Sequence, residues 1–149
     1  MDESIFDRRL DEQLCFRLYR ASTGMSKLYT QALSPFNLTF PQYLVLLSLW
    51  DKDGISSTEI GDQTGMGIGT LNPIIKRLES HDWVFKKAHV TDKRKTLIFL
   101  EEKASRTKKE INQEIMKQLK GFDYQDIDLL SLMKQLGLLQ KQLDNLNSK

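Results

Sequence analysis

At 149 residues, 40% hydrophobic and 28% charged, the chain has the size and balance of one globular domain able to bury a core. It contains no run of about 18 apolar residues, which excludes a membrane-spanning helix, and its acidic start MDESIFDRRLDEQ lacks the layout of a secretory signal. One cysteine permits no internal disulfide and points to a reducing, cytoplasmic location; with only His81 and His89 beside it, neither a zinc site nor any other cofactor is expected.

Charge is unevenly distributed. Between Met66 and Thr96 seven cations (Lys76, Arg77, Lys86, Lys87, Lys93, Arg94, Lys95) face three anions (Glu79, Asp82, Asp92), a local net charge of +4 in a chain whose total is +2. The first twelve residues run the other way, with Asp2, Glu3, Asp7, Asp11 and Glu12 against Arg8 and Arg9. A basic cluster is by itself an ordinary solvated surface, and its meaning depends on the elements that carry it.

From about Phe6 to Leu33, apolar residues recur every three or four positions at Leu10, Leu14, Leu18, Ala21, Met25, Leu28 and Ala32, which predicts one long amphipathic helix ended by Ser34-Pro35. Thr39-Phe-Pro-Gln42 has the capping-box form and opens a helix to about Trp50, broken by Asp53-Gly54. Ser56-Ser-Thr-Glu59 reads as a second capping box, opening a short helix that Gly65 terminates. A helix from Thr70 to His81 follows, with Leu71, Ile74, Ile75 and Leu78 on its buried face and Asn72, Lys76 and Arg77 opposite. These two short helices form a helix-turn-helix. The β-prone runs WVFKKAHV and KTLIFL, separated by TDKR, then predict a hairpin whose tip carries Lys93, Arg94 and Lys95.

The remainder is helical again. Ile111, Ile115 and Leu119 mark one helix, interrupted near Gly121, and Asp123 is the expected N-cap of the last. There Leu129, Leu132, Leu136, Leu139, Leu143 and Leu146 alternate spacings of three and four, as in a helix–helix seam. The expected fold is mainly α with a small β-hairpin wing. A winged helix-turn-helix over residues 39–100 is flanked by helices at 6–33 and 102–147, whose surplus apolar stripe favours a homodimer. The basic cluster then falls on the second helix and the wing, the elements that enter DNA grooves.

This order of elements, with FPQYLVLLSLW (Phe40–Trp50), GTLNPIIKRLES (Gly69–Ser80) and DKR (Asp92–Arg94), resembles the MarR family of regulators over almost the whole chain. LDEQLCFRLY (Leu10–Tyr19) is similar to the OhrR-type branch, which senses organic hydroperoxides through one cysteine. The resemblance implies a DNA-binding regulator, a repressor rather than an enzyme, with Cys15 as redox sensor and tyrosine hydroxyls beside its sulfur. It also implies that Thr70, Asn72, Lys76 and Arg77 meet the major groove of double-stranded, pseudo-palindromic operator DNA. Arg94 would reach a minor groove with Asp92 holding it, and Lys93 and Lys95 alongside. The chain departs from the pattern in two places: Gly67-Ile68-Gly69 stands where many relatives place Asp or Asn before the recognition helix, and Phe40 where related sensors carry Tyr.

Around Cys15 the local features compete. Asp11 and Glu12, at i−4 and i−3, would oppose a thiolate, while the favourable field of the helix N-terminus fades beyond the first turn, where Cys15 is expected. Tyr19, at i+4, can reach the sulfur. Tyr29 is fourteen residues on, about 21 Å along a straight helix, and meets Cys15 only from a partner chain. An oxidised Cys15 would pair with a low-molecular-weight thiol or oxidise further and irreversibly. Three alternatives stand beside this reading: release by a small aromatic ligand in a cleft lined by Met25, Phe36, Tyr43 and Trp50, with Cys15 structural; a one-cysteine thiol peroxidase; and a winged helix that binds only proteins.

Overall fold

The computed structural model describes residues 3–148; Asp2, one of the N-terminal acids, lies outside them. The chain divides into two compact units, Met1–Gln118 and Leu119–Lys149. In the first, α1 (Leu14–Leu33), α2 (Phe40–Asp51), β1 (Ile55–Ser56), α3 (Ser57–Thr64), α4 (Ile68–Ser80), β2 (Val84–Ala88), β3 (Thr96–Leu100) and α5 (Glu102–Gln118) follow one another. The second holds α6 (Leu129–Asn147). Among the described residues these are six α-helices and one three-stranded antiparallel sheet, a winged helix.

The long helix expected from Phe6 begins instead at Leu14. Residues Glu3–Phe6 and Leu10–Glu12 form separate 3-10 turns, and Gln13 is extended (φ −85°, ψ 133°). The Gln13 side chain fastens this arrangement by donating from Nε2 to the carbonyls of Phe6 and Arg8, both at 3.0 Å. Periodicity alone could not show that break, because the apolar spacing continues through it.

The Thr39 capping box forms with both bonds, Gln42 N to Thr39 Oγ1 at 3.2 Å and Thr39 N to Gln42 Oε1 at 3.0 Å. At Ser56 only the forward half forms, with Glu59 N donating to Ser56 Oγ at 3.2 Å. Gly65 ends α3 in the left-handed region at φ +78°, as a C-cap glycine does. α4 then starts two residues earlier than expected. Its N-cap is Gly67, which has no side chain to bond the free amides, and Pro73 lies within it.

The core sits where α2, α3, α4 and the sheet converge. It comprises Val45, Leu46 and Leu49 of α2, Ile60 of α3, Leu71, Ile75 and Leu78 of α4, and Ile55, Trp83, Val84 and Ile98 around the strands. α5 adds Ala104, Ile111 and Ile115, and α1 packs on α5 and α2 but buries only Ala32 and Leu33. The hairpin is in register, Val84 opposite Leu100 and Ala88 opposite Thr96. The two-residue β1, which sequence reading missed, pairs with the other edge of β3. In the second unit the N-cap of α6 is Asp128, whose Oδ1 accepts from Ser131 N at 3.2 Å. Asp123, the expected cap, instead closes a local turn by accepting from Gln125 N at 2.8 Å.

The wing is tied to the core at one corner. Asp53 Oδ1 accepts from Leu100 N at 2.8 Å, and Gly54 turns the chain at φ +69° with the Phe99 ring against its Cα. A Cβ at Gly54 would lie 2.6 Å from Phe99 Cε1, and Phe99 itself stacks on Phe85 at 5.4 Å. Gly54→Ala therefore combines left-handed strain with a clash, and is expected to cost about 1–3 kcal/mol, read as a lowered thermal midpoint. An unchanged midpoint would mean the corner yields freely.

Candidate nucleic-acid interface

With 3.6 residues per turn, Leu71, Ile74, Ile75 and Leu78 fall on one arc of α4 and Thr70, Asn72, Pro73, Lys76 and Arg77 on the complementary one. Burial follows this division: Leu71, Ile75 and Leu78 are inside, Ile74 is half-buried, and all five residues of the other arc are exposed. The polar arc has two edges. Asn72 and Lys76, four apart, share one with Pro73, and they line a cleft of about 590 Å³ together with Ser57, Lys86, Thr96 and Ile98. Thr70 and Arg77, seven apart, lie along the other edge.

The wing loop presents the rest of the positive charge. Arg94 has a side-chain exposure of 94% yet is held at its base, because Asp92 Oδ1 accepts from its backbone N at 3.1 Å and lies 3.4 Å from its Nε. The Asp92–Arg94 pairing expected from the resemblance is thus present, and it is intramolecular. Lys93 and Lys95 are exposed on either side. Lys86 pairs with Glu79 at 3.8 Å, linking β2 to the last turn of α4, although so exposed an ion pair contributes little stability. Among the described residues Lys76, Arg77, Lys87, Lys93 and Lys95 have no carboxylate within ion-pair distance, so their charge is directed outward.

Sequence reasoning placed Lys86 in the basic cluster but missed Ser57, Pro73 and Thr96 as part of this surface. Ser57 was hidden inside a capping motif, Pro73 lies on α4 itself beside Asn72, and Thr96 joins Lys86 at the cleft through the packing of the hairpin against α4. The C-terminal end of α4 is closed by Lys103, whose Nζ donates to the His81 carbonyl at 3.0 Å and stands 4.4 Å above the Trp83 ring.

The redox candidates lie elsewhere. Cys15 is exposed and is the second residue of α1, so it falls within the first turn rather than beyond it. The cause is the late helix start at Leu14, which also sets Asp11 and Glu12 in the preceding 3-10 turn. Tyr19 is exposed one turn further on. Tyr29 packs near the other end of α1, 4.9 Å from the Phe40 ring and 5.7 Å from Tyr43. Because α1 runs unbroken between them, Cys15 and Tyr29 of one chain do not meet. Burial and the neighbouring Tyr29 push the Tyr43 phenol above its usual range, so it stays protonated.

A family model for the transcriptional regulators SarA/Rot matches residues 27–111, more than half the chain. The chain is 44% identical over 94 residues to the HTH-type transcriptional regulator TtmR of Methylorubrum extorquens, covering 63% of this chain but only about half (48%) of that protein. It is 41% identical over 101 residues to the organic hydroperoxide resistance transcriptional regulator of Bacillus subtilis, covering 67% of this chain and 69% of that one. Its structure is similar to that of reduced AbfR bound to DNA, with a TM-score of 0.79 and 30% identity over 95% of this chain and 97% of the other. AbfR, from Staphylococcus epidermidis, has also been solved overoxidized on DNA and in a disulfide-formed state. These relatives are transcriptional regulators rather than enzymes, and the chain belongs to the MarR/SarA family of winged-helix, DNA-binding transcriptional regulators.

Proposed function

We propose that the protein is a homodimeric repressor whose hold on operator DNA is switched by oxidation of Cys15. The observation that carries the reading is that the only cysteine stands exposed at the start of α1, a helix whose apolar stripe is left largely uncovered within one chain. Met25 is 44% exposed, and Leu18 and Leu28 are half-buried. In α6, Leu129, Leu132, Leu136, Leu143 and Leu146 are exposed as well. Apolar surface of this extent on a cytoplasmic protein marks an interface, and two copies joined there would carry two α4 helices to successive major-groove half-sites.

In each half-site Asn72 reads a base edge, Thr70, Lys76 and Arg77 hold phosphates, and Arg94 enters the adjacent minor groove with Lys93 and Lys95 beside it. A hydroperoxide ROOH transfers its terminal oxygen to the Cys15 sulfur, leaving ROH and a sulfenic acid. With no second cysteine in the chain, the sulfenic acid condenses with a low-molecular-weight thiol to give a mixed disulfide and water. Bulk added beside Tyr19 and a partner's Tyr29 alters the helix packing and hence the spacing of the recognition helices. The reading is supported by the organic hydroperoxide resistance regulator to which the chain is similar and by the oxidised states solved for AbfR.

One observation favours a second reading. The indole N–H of Trp50 is buried without a hydrogen-bond partner, beside Tyr43 at 6.1 Å, as in a site that an acceptor-bearing aromatic ligand would complete.

Three outcomes test the proposal. Fluorescence anisotropy on DNA from the gene's upstream region should show release of the wild type by a stoichiometric organic hydroperoxide plus a small thiol, while Cys15→Ser holds. Equal retention by both would return Cys15 to a passive role, and release of Cys15→Ser by aromatic acids would carry the second reading. Arg77→Ala should weaken binding evenly across sequences and lower the salt slope by about 1. Leu136→Lys should shift the protein toward monomer in sedimentation and weaken operator binding; a variant that stays dimeric would remove α6 from the interface.

A further inference from the structure

The wing loop between β2 and β3 has an internal organiser. The Nδ1 atom of His89 accepts the backbone N–H of Thr91 at 3.2 Å and that of Asp92 at 3.1 Å, with the Thr91 hydroxyl at 3.1 Å. A backbone N–H can only donate, so Nδ1 is the acceptor of both bonds. The loop is closed on either side of this ring, His89 N donating to the Lys95 carbonyl at 2.9 Å and Lys95 N to the Asp92 carbonyl at 3.0 Å. Asp92, whose amide is fixed by the ring, in turn holds both the backbone and the guanidinium of Arg94. A continuous set of hydrogen bonds therefore runs from the imidazole through Asp92 to Arg94, an exposed cation of the wing.

From this we propose that His89 is a positioning residue for DNA binding, acting through Asp92 to set Arg94 before the DNA arrives. The proposal rests on the reading that Arg94 of the wing touches DNA. An arginine at the tip of an unorganised loop must lose the freedom of loop and side chain when it enters a groove. A loop already closed by its own hydrogen bonds loses less, and the difference appears in affinity. His89 is half-buried and its Nδ1 is occupied within the loop, so its contribution is organisation of that loop.

The test is a double-mutant cycle read by anisotropy on operator DNA, using the full-length protein. His89→Ala is expected to weaken binding about two- to tenfold, with little change in salt slope because no phosphate contact is lost. In the Arg94→Ala background the same substitution should cost nothing further, since its effect passes through Arg94. His89→Asn, which places an acceptor at the same distance from the backbone, should bind within about twofold of wild type. If Arg94→Ala binds like wild type, the wing reading itself fails. If Arg94→Ala is weak but His89→Ala is unchanged, or the two losses add, the positioning role is overturned. A folded His89→Asn variant as weak as His89→Ala overturns it too, and the Asn variant decides the matter should the Ala variant melt below the assay temperature.

Discussion

A single helix in contact with a core can hide only one side, and in this protein that constraint falls on α4. Leu71, Ile75 and Leu78 bury themselves against α2, α3 and the sheet, and doing so leaves Thr70, Asn72, Lys76 and Arg77 nowhere to go but outward. Apolar burial of this kind stabilises by roughly 1.5–3 kcal/mol per large side chain. That far exceeds what the exposed charges could gain from one another in water. The orientation of the basic face is thus a by-product of core packing, and the helix needs no polar contact to aim it.

The wing depends on the same core by another route. Ile98 of β3 is buried in the core, β2 packs against α4, β1 pairs with the opposite edge of β3, and the Asp53–Gly54 corner bonds to the last strand residue. These restraints act at the base of the hairpin. The loop beyond Ala88 is outside their reach, and it is organised by its own short bonds around His89 and Asp92. Rigid base and self-organised tip together let one arginine stand far from the core without being loosely held.

The ends of the chain show the opposite balance. α1 buries two residues and α6 none, although both carry regular apolar stripes. An apolar stripe left exposed to water is stable only if something else covers it, which is the physical ground for the proposed dimer. In the proposed switch, the position of Cys15 beside such a stripe is what would let a small chemical change alter helix packing.

Much of this was legible in the sequence. The capping box at Thr39, the Gly65 stop, the heptad-like leucines of α6 and the two β-prone runs are local signals, because caps, turns and periodicity are decided by residues within a few positions of each other. So too was the basic arc of α4, since helical spacing alone separates it from Leu71 and Leu78. What tertiary structure alone decided was non-local or lay where local signals compete. Gln13 reached back to two carbonyls and delayed α1, bringing Cys15 into its first turn. Asp128 rather than Asp123 took the cap of α6. The strand β1 exists only because β3 lies beside it, and Lys86 and Thr96 join the cleft only because the hairpin folds against α4. Sequence specifies which face a residue occupies on its own element; which elements meet is set by packing among residues far apart in the chain, and no single window of sequence contains that information.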